Sequence, residues 1–141
     1  MTRTEYDVVA LGELLIDFTT QATDPDGYPT MAAHPGGAPA NFLAAIAKFG
    51  GKGALLGKVG TDTFGKLLTD TLRKAGIETK GIVTDPSVFT TLAFVTFSPE
   101  GDRSFSFARK PGADTRLSFE EIDLTMIDQA SVFHFGTLSL T

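Results

Sequence analysis

An acidic residue interrupts an apolar stretch near the beginning of the chain. Asp17 follows Leu14, Leu15 and Ile16 and precedes Phe18, in a run that favours extended structure. An ionised carboxylate offers two acceptor oxygens, so it can accept hydrogen bonds from two neighbouring hydroxyls of a polyol. Asp17 is therefore a candidate for binding a sugar. The alternative is a solvated residue on the outer face of a strand.

A pair of glycines directly precedes a predicted helix, and an asparagine lies in the first turn of that helix. Gly36 and Gly37 have no Cβ atom, so backbone N–H groups at this point can face a ligand closely. Pro39 suits the first helical turn, where its missing N–H is no loss. Asn41 can both donate and accept a hydrogen bond toward the same ligand, or it can serve as a local cap.

Two familiar glycine motifs for nucleotide phosphates are absent. A Walker A loop that ends at Lys58 needs glycine at position 52, where the chain has lysine. A dinucleotide fingerprint that begins at Gly51 needs glycine where Leu56 stands, and it should follow a strand rather than a helix. A dinucleotide-binding domain is therefore disfavoured, and these glycines are typical of helix ends and turns.

The composition excludes several classes of protein. The chain has 141 residues and a net charge of −5, which argues against a general nucleic-acid binder. It has no cysteine, which excludes a disulfide scaffold, a thiol nucleophile and a zinc–thiolate site. The two histidines, His34 and His134, show no paired spacing for a metal. There is no apolar run for a membrane span and no signal-peptide core, so we predict a cytoplasmic protein.

The pattern of apolar residues predicts an α/β fold with a parallel sheet. The predicted elements are strands over 7–11, 54–60 and 131–135, and helices that begin at Pro39 and at a cap on Thr61 or Asp62. Two extended segments, 14–21 and 28–34, and a hairpin of 90–97 with 103–109 interrupt this order. A capping box at Ser118 predicts a further helix that continues to Ala130. No covering helix follows the last strand, so we expect an incomplete polypeptide.

Three blocks of residues resemble PfkB (ribokinase-family) sugar kinases, with the bacterial fructokinase branch as the nearest match. They are residues 12–18 (GELLIDF), 36–41 (GGAPAN) and 59–65 (VGTDTFG). Asn41, Gly50 and Gly60 also stand at the spacing of the first family signature. Leu43 departs from the family, which usually has a small residue there. This departure affects packing under the sugar site but removes no ligand group.

The resemblance implies a ribokinase-like fold in which residues 1–141 form the N-terminal part of one domain. That domain would combine a Rossmann-like parallel sheet with a small β-sheet lid, formed by segments 14–34 and 88–110. Phe105 and Phe107 share one face of a predicted strand. They would face the sugar, pack against a second subunit, or form the lid's own small core. A homodimer through the lid is one expectation.

The resemblance also implies an ATP-dependent sugar kinase. The expected reaction converts D-fructose to fructose 6-phosphate. Asp17, Gly36, Gly37, Asn41 and Arg109 would bind this small-molecule sugar. A solvated Arg109 at the end of a strand is the alternative for that residue. ATP and Mg²⁺ are the implied cofactors.

The catalytic base of the family lies in a C-terminal D-T-x-G-A-G-D motif, which this sequence does not contain. Residues 112–115 (GADT) imitate part of that motif, but we predict a turn there. We therefore expect no catalytic, cofactor-binding or metal-binding residue in this chain. The alternatives are a kinase for 2-keto-3-deoxygluconate or another sugar or nucleoside, and a non-catalytic module for sugar binding or dimerisation.

Overall fold

A parallel sheet forms the centre of the computed structural model, which describes residues 4–98 and 100–140. Its strands are β1 (Tyr6–Leu11), β4 (Gly53–Gly60), β5 (Ile82–Asp85) and β8 (Ala130–Phe135). They lie in the order β5-β4-β1-β8, and each neighbouring pair is parallel. The predicted α/β fold with a parallel sheet is thereby confirmed.

Helices pack on both faces of this sheet, as the continuous apolar runs of β1 and β4 require. They are α1 (Ala38–Lys48), α2 (Thr63–Lys74) and α3 (Leu124–Asp128). Leu43 of α1 and Leu68 of α2 belong to the larger buried cluster, together with Val8 of β1. Met126 of α3 belongs to the smaller cluster, with Val9 on the other face of β1. Among residues 4–98 and 100–140, no helix has the length and apolar character to cross a membrane.

A second sheet contains the segments that interrupt the α/β order. Its strands are β2 (Leu15–Thr23), β3 (Pro29–Gly36), β6 (Leu92–Phe97) and β7 (Arg103–Ala108), in the order β3-β2-β6-β7. One face packs on α2, where Phe18 stacks on Phe94 and meets Phe64 edge-on. Because alternate side chains of a strand point to opposite faces, Asp17 lies on the other face. Pro99, within the predicted hairpin loop, lies outside the described residues.

The helix predicted from Ser118 to Ala130 is wrong in its extent. Ser118 and Glu121 do form the capping box, but only a single 3-10 turn follows it. A second cap interrupts the helix, because the Asp123 carboxylate accepts the N–H of Thr125 and starts α3 afresh. Glu121 is meanwhile held by the buried ammonium group of Lys58 at 2.7 Å. The local helix signal is therefore divided between two competing caps.

Candidate functional site

Asp17 and Gly36 lie side by side on one face of the second sheet. The register of β2 and β3 pairs Leu15 with Gly36 and Asp17 with His34. A Cβ atom on Gly36 would overlap the Oδ2 and Cγ atoms of Asp17. Gly36 is therefore needed to leave room for the carboxylate, whether or not its backbone also contacts a ligand.

The carboxylate of Asp17 has no hydrogen-bond donor among the described residues, although the side chain is half-buried. Burial raises the pKa of Asp17 above its ordinary value, and the nearby His34 opposes this shift. A half-buried carboxylate with open acceptor sites is costly for the fold unless a ligand supplies the missing donors. Within the described part of the chain, both oxygens of the side chain are therefore free to accept hydrogen bonds from a ligand.

Gly37 and Asn41 are set by the beginning of α1. Gly37 is the N-cap residue and has a φ of 111°, a conformation that favours glycine. A Cβ atom here would also collide with the backbone carbonyl of Glu13. Asn41 donates its backbone N–H to the Gly37 carbonyl at 3.0 Å, while its exposed side chain has no hydrogen bond among the described residues. Gly36 and Asn41 both line a cavity of about 70 Å³.

Arg109 is turned toward the segment that follows β7 rather than toward Asp17. Its Nε and Nη2 atoms both lie 2.8 Å from Oδ2 of Asp114, whose Oδ1 accepts the hydroxyl of Thr91. Strand β6 separates β7 from β2, which places the two strands roughly 10 Å apart. The structure therefore brings Asp17, Gly36 and the start of α1 together. Arg109 instead lines a separate cavity of about 260 Å³ beside Gly12.

The GADT segment, residues 112–115, forms a turn, as the sequence predicts. A 3-10 helix, Ala113–Arg116, begins five residues after the end of β7 at Ala108. Its Asp114 is almost fully buried and serves as the partner of Arg109. The carboxylate is therefore already occupied by a guanidinium and a hydroxyl, which is the arrangement of a structural residue.

Two acidic residues, Glu13 and Asp62, have structural roles that the sequence reveals only in part, although the predicted cap at Asp62 is confirmed. Glu13 is 2% exposed and accepts the N–H of Ala38 at 3.1 Å and the hydroxyl of Ser139 at 2.7 Å. Its signal in the sequence is a carboxylate inside an apolar run, the same signal that identified Asp17. Asp62 was named only as one of two possible caps of α2.

Asp62 joins the start of α2 to the segment that enters β6. Its Oδ1 accepts the N–H groups of Phe64 and Gly65, and its Oδ2 accepts the N–H and hydroxyl of Thr90. Burial alone would raise the pKa of Asp62, but these four donors outweigh it and lower the pKa below its ordinary value. Asp62 therefore holds the chain in place where it enters β6 of the second sheet.

Clusters of potential metal ligands and free helix N–H groups are the features that could bind Mg²⁺ or a phosphate. Among residues 4–98 and 100–140, no three His, Asp or Glu side chains converge on a position suited to a metal ion. The carboxylate of Glu13 binds the first N–H of α1, so this helix start already has a negative partner.

A model of the pfkB family of carbohydrate kinases matches residues 6–141. This match covers nearly the whole chain, so the chain belongs to the pfkB family. The fold agrees, because solved structures of sugar kinases superpose on nearly the whole chain. For example, fructokinase from Xylella fastidiosa aligns with a TM-score of 0.85 and 37% identity, over 92% of this chain and 41% of that one.

The similar curated proteins include plant fructokinases. Fructokinase-1 of Oryza sativa subsp. japonica is 44% identical over 135 residues, which are 94% of this chain and 42% of the relative. Probable fructokinase-6, chloroplastic, of Arabidopsis thaliana is also 44% identical over 94% of this chain and 35% of its own length. The chain thus spans about two-fifths of these relatives. A putative ribokinase II of E. coli, solved with ATP and Mg²⁺, aligns with a TM-score of 0.85 and 30% identity, over 96% of this chain and 44% of that one.

Proposed function

We propose that this chain is the sugar-binding part of an ATP-dependent fructokinase, which converts D-fructose to fructose 6-phosphate. The observation that carries this proposal is the half-buried carboxylate of Asp17, which lacks any donor among the described residues. A ketose presents adjacent hydroxyl groups that can supply two donors to one carboxylate. The fructokinases among the similar proteins support fructose over other sugars.

The remaining predicted residues receive distinct roles in this proposal. Gly36 leaves room for Asp17, and Gly37 allows the chain to enter α1 close to the backbone of Glu13. Asn41 offers an amide to the sugar from the first turn of α1. Arg109 would reach the sugar with the N–H groups that Asp114 leaves free, because a guanidinium has five donors and two are used.

We assign phosphoryl transfer to residues beyond this chain. That reaction needs a base for the attacking hydroxyl, and positive charge or N–H donors on the phosphate. ATP and Mg²⁺ would be held by the part of the protein that the longer relatives contain and this chain does not span. We also expect a cytoplasmic location, which follows from the composition.

Calorimetric titration of the purified chain with D-fructose tests the sugar site. We expect saturable binding to the wild-type chain and its loss in Asp17→Asn, which removes one acceptor oxygen and the charge. Asp26→Asn is the matched control, because Asp26 is exposed at the turn between β2 and β3. Equal affinity in Asp17→Asn and Asp26→Asn would remove Asp17 from the site. Titration with ribose and 2-keto-3-deoxygluconate ranks the alternative sugars.

A kinase assay tests the assignment of the catalytic residues. With ATP, Mg²⁺ and D-fructose, we expect the 141-residue chain to form no fructose 6-phosphate. Formation of that product by the chain alone would contradict the proposal that catalysis lies elsewhere. The same assay with added nucleotide and no fructose serves as the blank.

A second copy of the chain is our proposed partner for the second sheet. Phe97, Phe105 and Phe107 are each about half exposed, and the last two stack on each other at 6.3 Å. Exposed aromatic groups that lie together favour burial against another surface. Sedimentation velocity over a concentration series should show a dimer that Phe105→Ser disrupts. If the chain is a monomer at all concentrations, the dimer proposal is wrong, and this face contacts the sugar or the rest of the enzyme instead.

A further inference from the structure

Helix α1 begins without a cap of its own. Its N-cap residue is Gly37, which has no side chain, and its first turn contains no acidic residue. Helix starts usually satisfy their free N–H groups with a Ser, Thr, Asp or Asn at this position. A capping side chain at position 37 is excluded here, because a Cβ atom would collide with the Glu13 carbonyl.

Glu13 supplies the missing cap from a distant part of the sequence. Its Oε1 accepts the N–H of Ala38, the first residue of α1, across 25 residues of chain. A carboxylate at this end of a helix also interacts favourably with the helix dipole. The side chain is 2% exposed, so water cannot replace it as a partner for that N–H group.

The second oxygen of Glu13 holds another segment. Oε2 accepts the hydroxyl of Ser139 at 2.7 Å, and Ser139 belongs to the turn that follows β8. One carboxylate therefore joins three parts of the molecule, namely the end of β1, the start of α1 and the chain beyond β8. In the sequence, Gly36 and Asn41 lie on either side of Ala38, whose N–H group this carboxylate accepts.

We propose that Glu13 is a positioning residue for the sugar site. It fixes the first turn of α1, and through it the placement of the Gly36–Gly37 segment beside Asp17 and of Asn41. It would contact no sugar itself, because both of its oxygens are occupied within the protein. This inference rests on the proposed sugar site, but its first consequence, a firmly held Ala38 N–H, does not.

The test compares three substitutions at position 13 with a control in the other core. Glu13→Ala removes both hydrogen bonds, whereas Glu13→Gln keeps an acceptor for Ala38 and an amide that can donate to the Ser139 oxygen. Glu13→Asp keeps the charge but is one methylene too short to reach both partners. Met126→Ala is the control, because it opens a cavity on the far face of the main sheet.

Two readouts separate positioning from plain stability. We expect Glu13→Ala to weaken D-fructose binding at least 10-fold and Glu13→Asp at least 5-fold. Glu13→Gln should stay within 3-fold and Met126→Ala within 2-fold of the wild-type Kd, all measured on folded protein. Amide exchange at Ala38, followed by NMR without sugar, should accelerate at least 10-fold more in Glu13→Ala than in Met126→Ala.

The outcomes are distinguishable from a failure of the proposed function. Wild-type affinity in Glu13→Ala overturns the inference, and, if that variant does not fold, wild-type affinity in Glu13→Asp does the same. An equal loss of affinity in Met126→Ala also overturns it, since the effect would then be general destabilisation. If the wild-type chain binds no fructose, the proposed function fails. Unchanged exchange at Ala38 would then still refute the capping role of Glu13.

Discussion

The ion pair of Arg109 and Asp114 should anchor the end of the second sheet, and Asp114→Asn tests this. Both contacts of the guanidinium with Oδ2 are 2.8 Å long, and the side chain of Asp114 is only 3% exposed. The substitution keeps an acceptor for the hydroxyl of Thr91, but it removes the negative charge and leaves the guanidinium without its partner. The fold therefore retains its shape while one desolvated charge becomes uncompensated.

The expected cost follows from the burial of the two partners. Removing one member of a buried pair costs about 3–5 kcal/mol. Arg109 is 16% exposed, so water can partly rehydrate it, and we expect a value near the lower limit, about 3 kcal/mol. With a urea m-value of about 2 kcal/mol/M, the unfolding midpoint should fall by about 1.5 M.

Urea unfolding at pH 7, followed by circular dichroism, measures this shift. Asp70→Asn is the matched control, because Asp70 pairs with Lys66 and Arg73 on the exposed side of α2. Pairs of that kind contribute little, so its midpoint should stay close to that of the wild-type chain. If Asp114→Asn shifts the midpoint no more than Asp70→Asn does, the pair is solvated and the reasoning is refuted.

The same variant distinguishes the two roles of Arg109. If the free N–H groups of the guanidinium contact the sugar, loss of its partner will also weaken D-fructose binding by the folded protein. If Arg109 serves the fold alone, the affinity will remain that of the wild-type chain although the midpoint has fallen.

Three further substitutions test the site and its supports. Asp17→Asn should raise stability at neutral pH while it abolishes fructose binding. The raised pKa of Asp17 means that its protonated form stabilises the fold, and this contribution is lost as pH rises through the folded-state pKa. The gain in urea midpoint should therefore vanish toward pH 3. Gly36→Ala should force the Asp17 carboxylate aside and abolish fructose binding in calorimetry, and unchanged affinity would contradict the overlap. Asp62→Asn should keep the cap through its amide oxygen, but it should cost about 1–3 kcal/mol because the N–H and hydroxyl of Thr90 lose their acceptor. Because the pKa of Asp62 is lowered, this deficit should be full above its ordinary value of 3.8 and shrink as pH falls below it.

The order of strands and helices could be predicted from the sequence because each element carries a strong local signal. The apolar run of β1 and the amphipathic pattern of α2 each indicate one structure. The segment after Ser118 could not be predicted in the same way. There, two caps five residues apart compete, and a long-range bond from Lys58 also holds Glu121.

The candidate site was predictable only in part, for a similar reason. Asp17 stands out because a carboxylate is unusual within an apolar strand. Glu13 has the same appearance, but its role depends on a helix that begins 25 residues later and on Ser139, far along the chain. Arg109 was placed by resemblance at the sugar, and only the structure reveals its bond to Asp114. The pairings of Glu13 span 25 and 126 residues and leave no trace in local spacing, whereas that of Arg109 spans only five residues.

The two adjacent glycines of the site are required for different reasons, which bears on how a glycine pair should be interpreted. Gly36 has an ordinary backbone conformation and gives space to a side chain, the carboxylate of Asp17. Gly37 has a positive φ and gives space to a backbone carbonyl, that of Glu13. The first constraint would disappear in a protein without Asp17, whereas the second would remain because backbone is always present. Gly36→Ala combined with Asp17→Gly should therefore fold better than Gly36→Ala alone, while no substitution at position 17 should rescue Gly37→Ala.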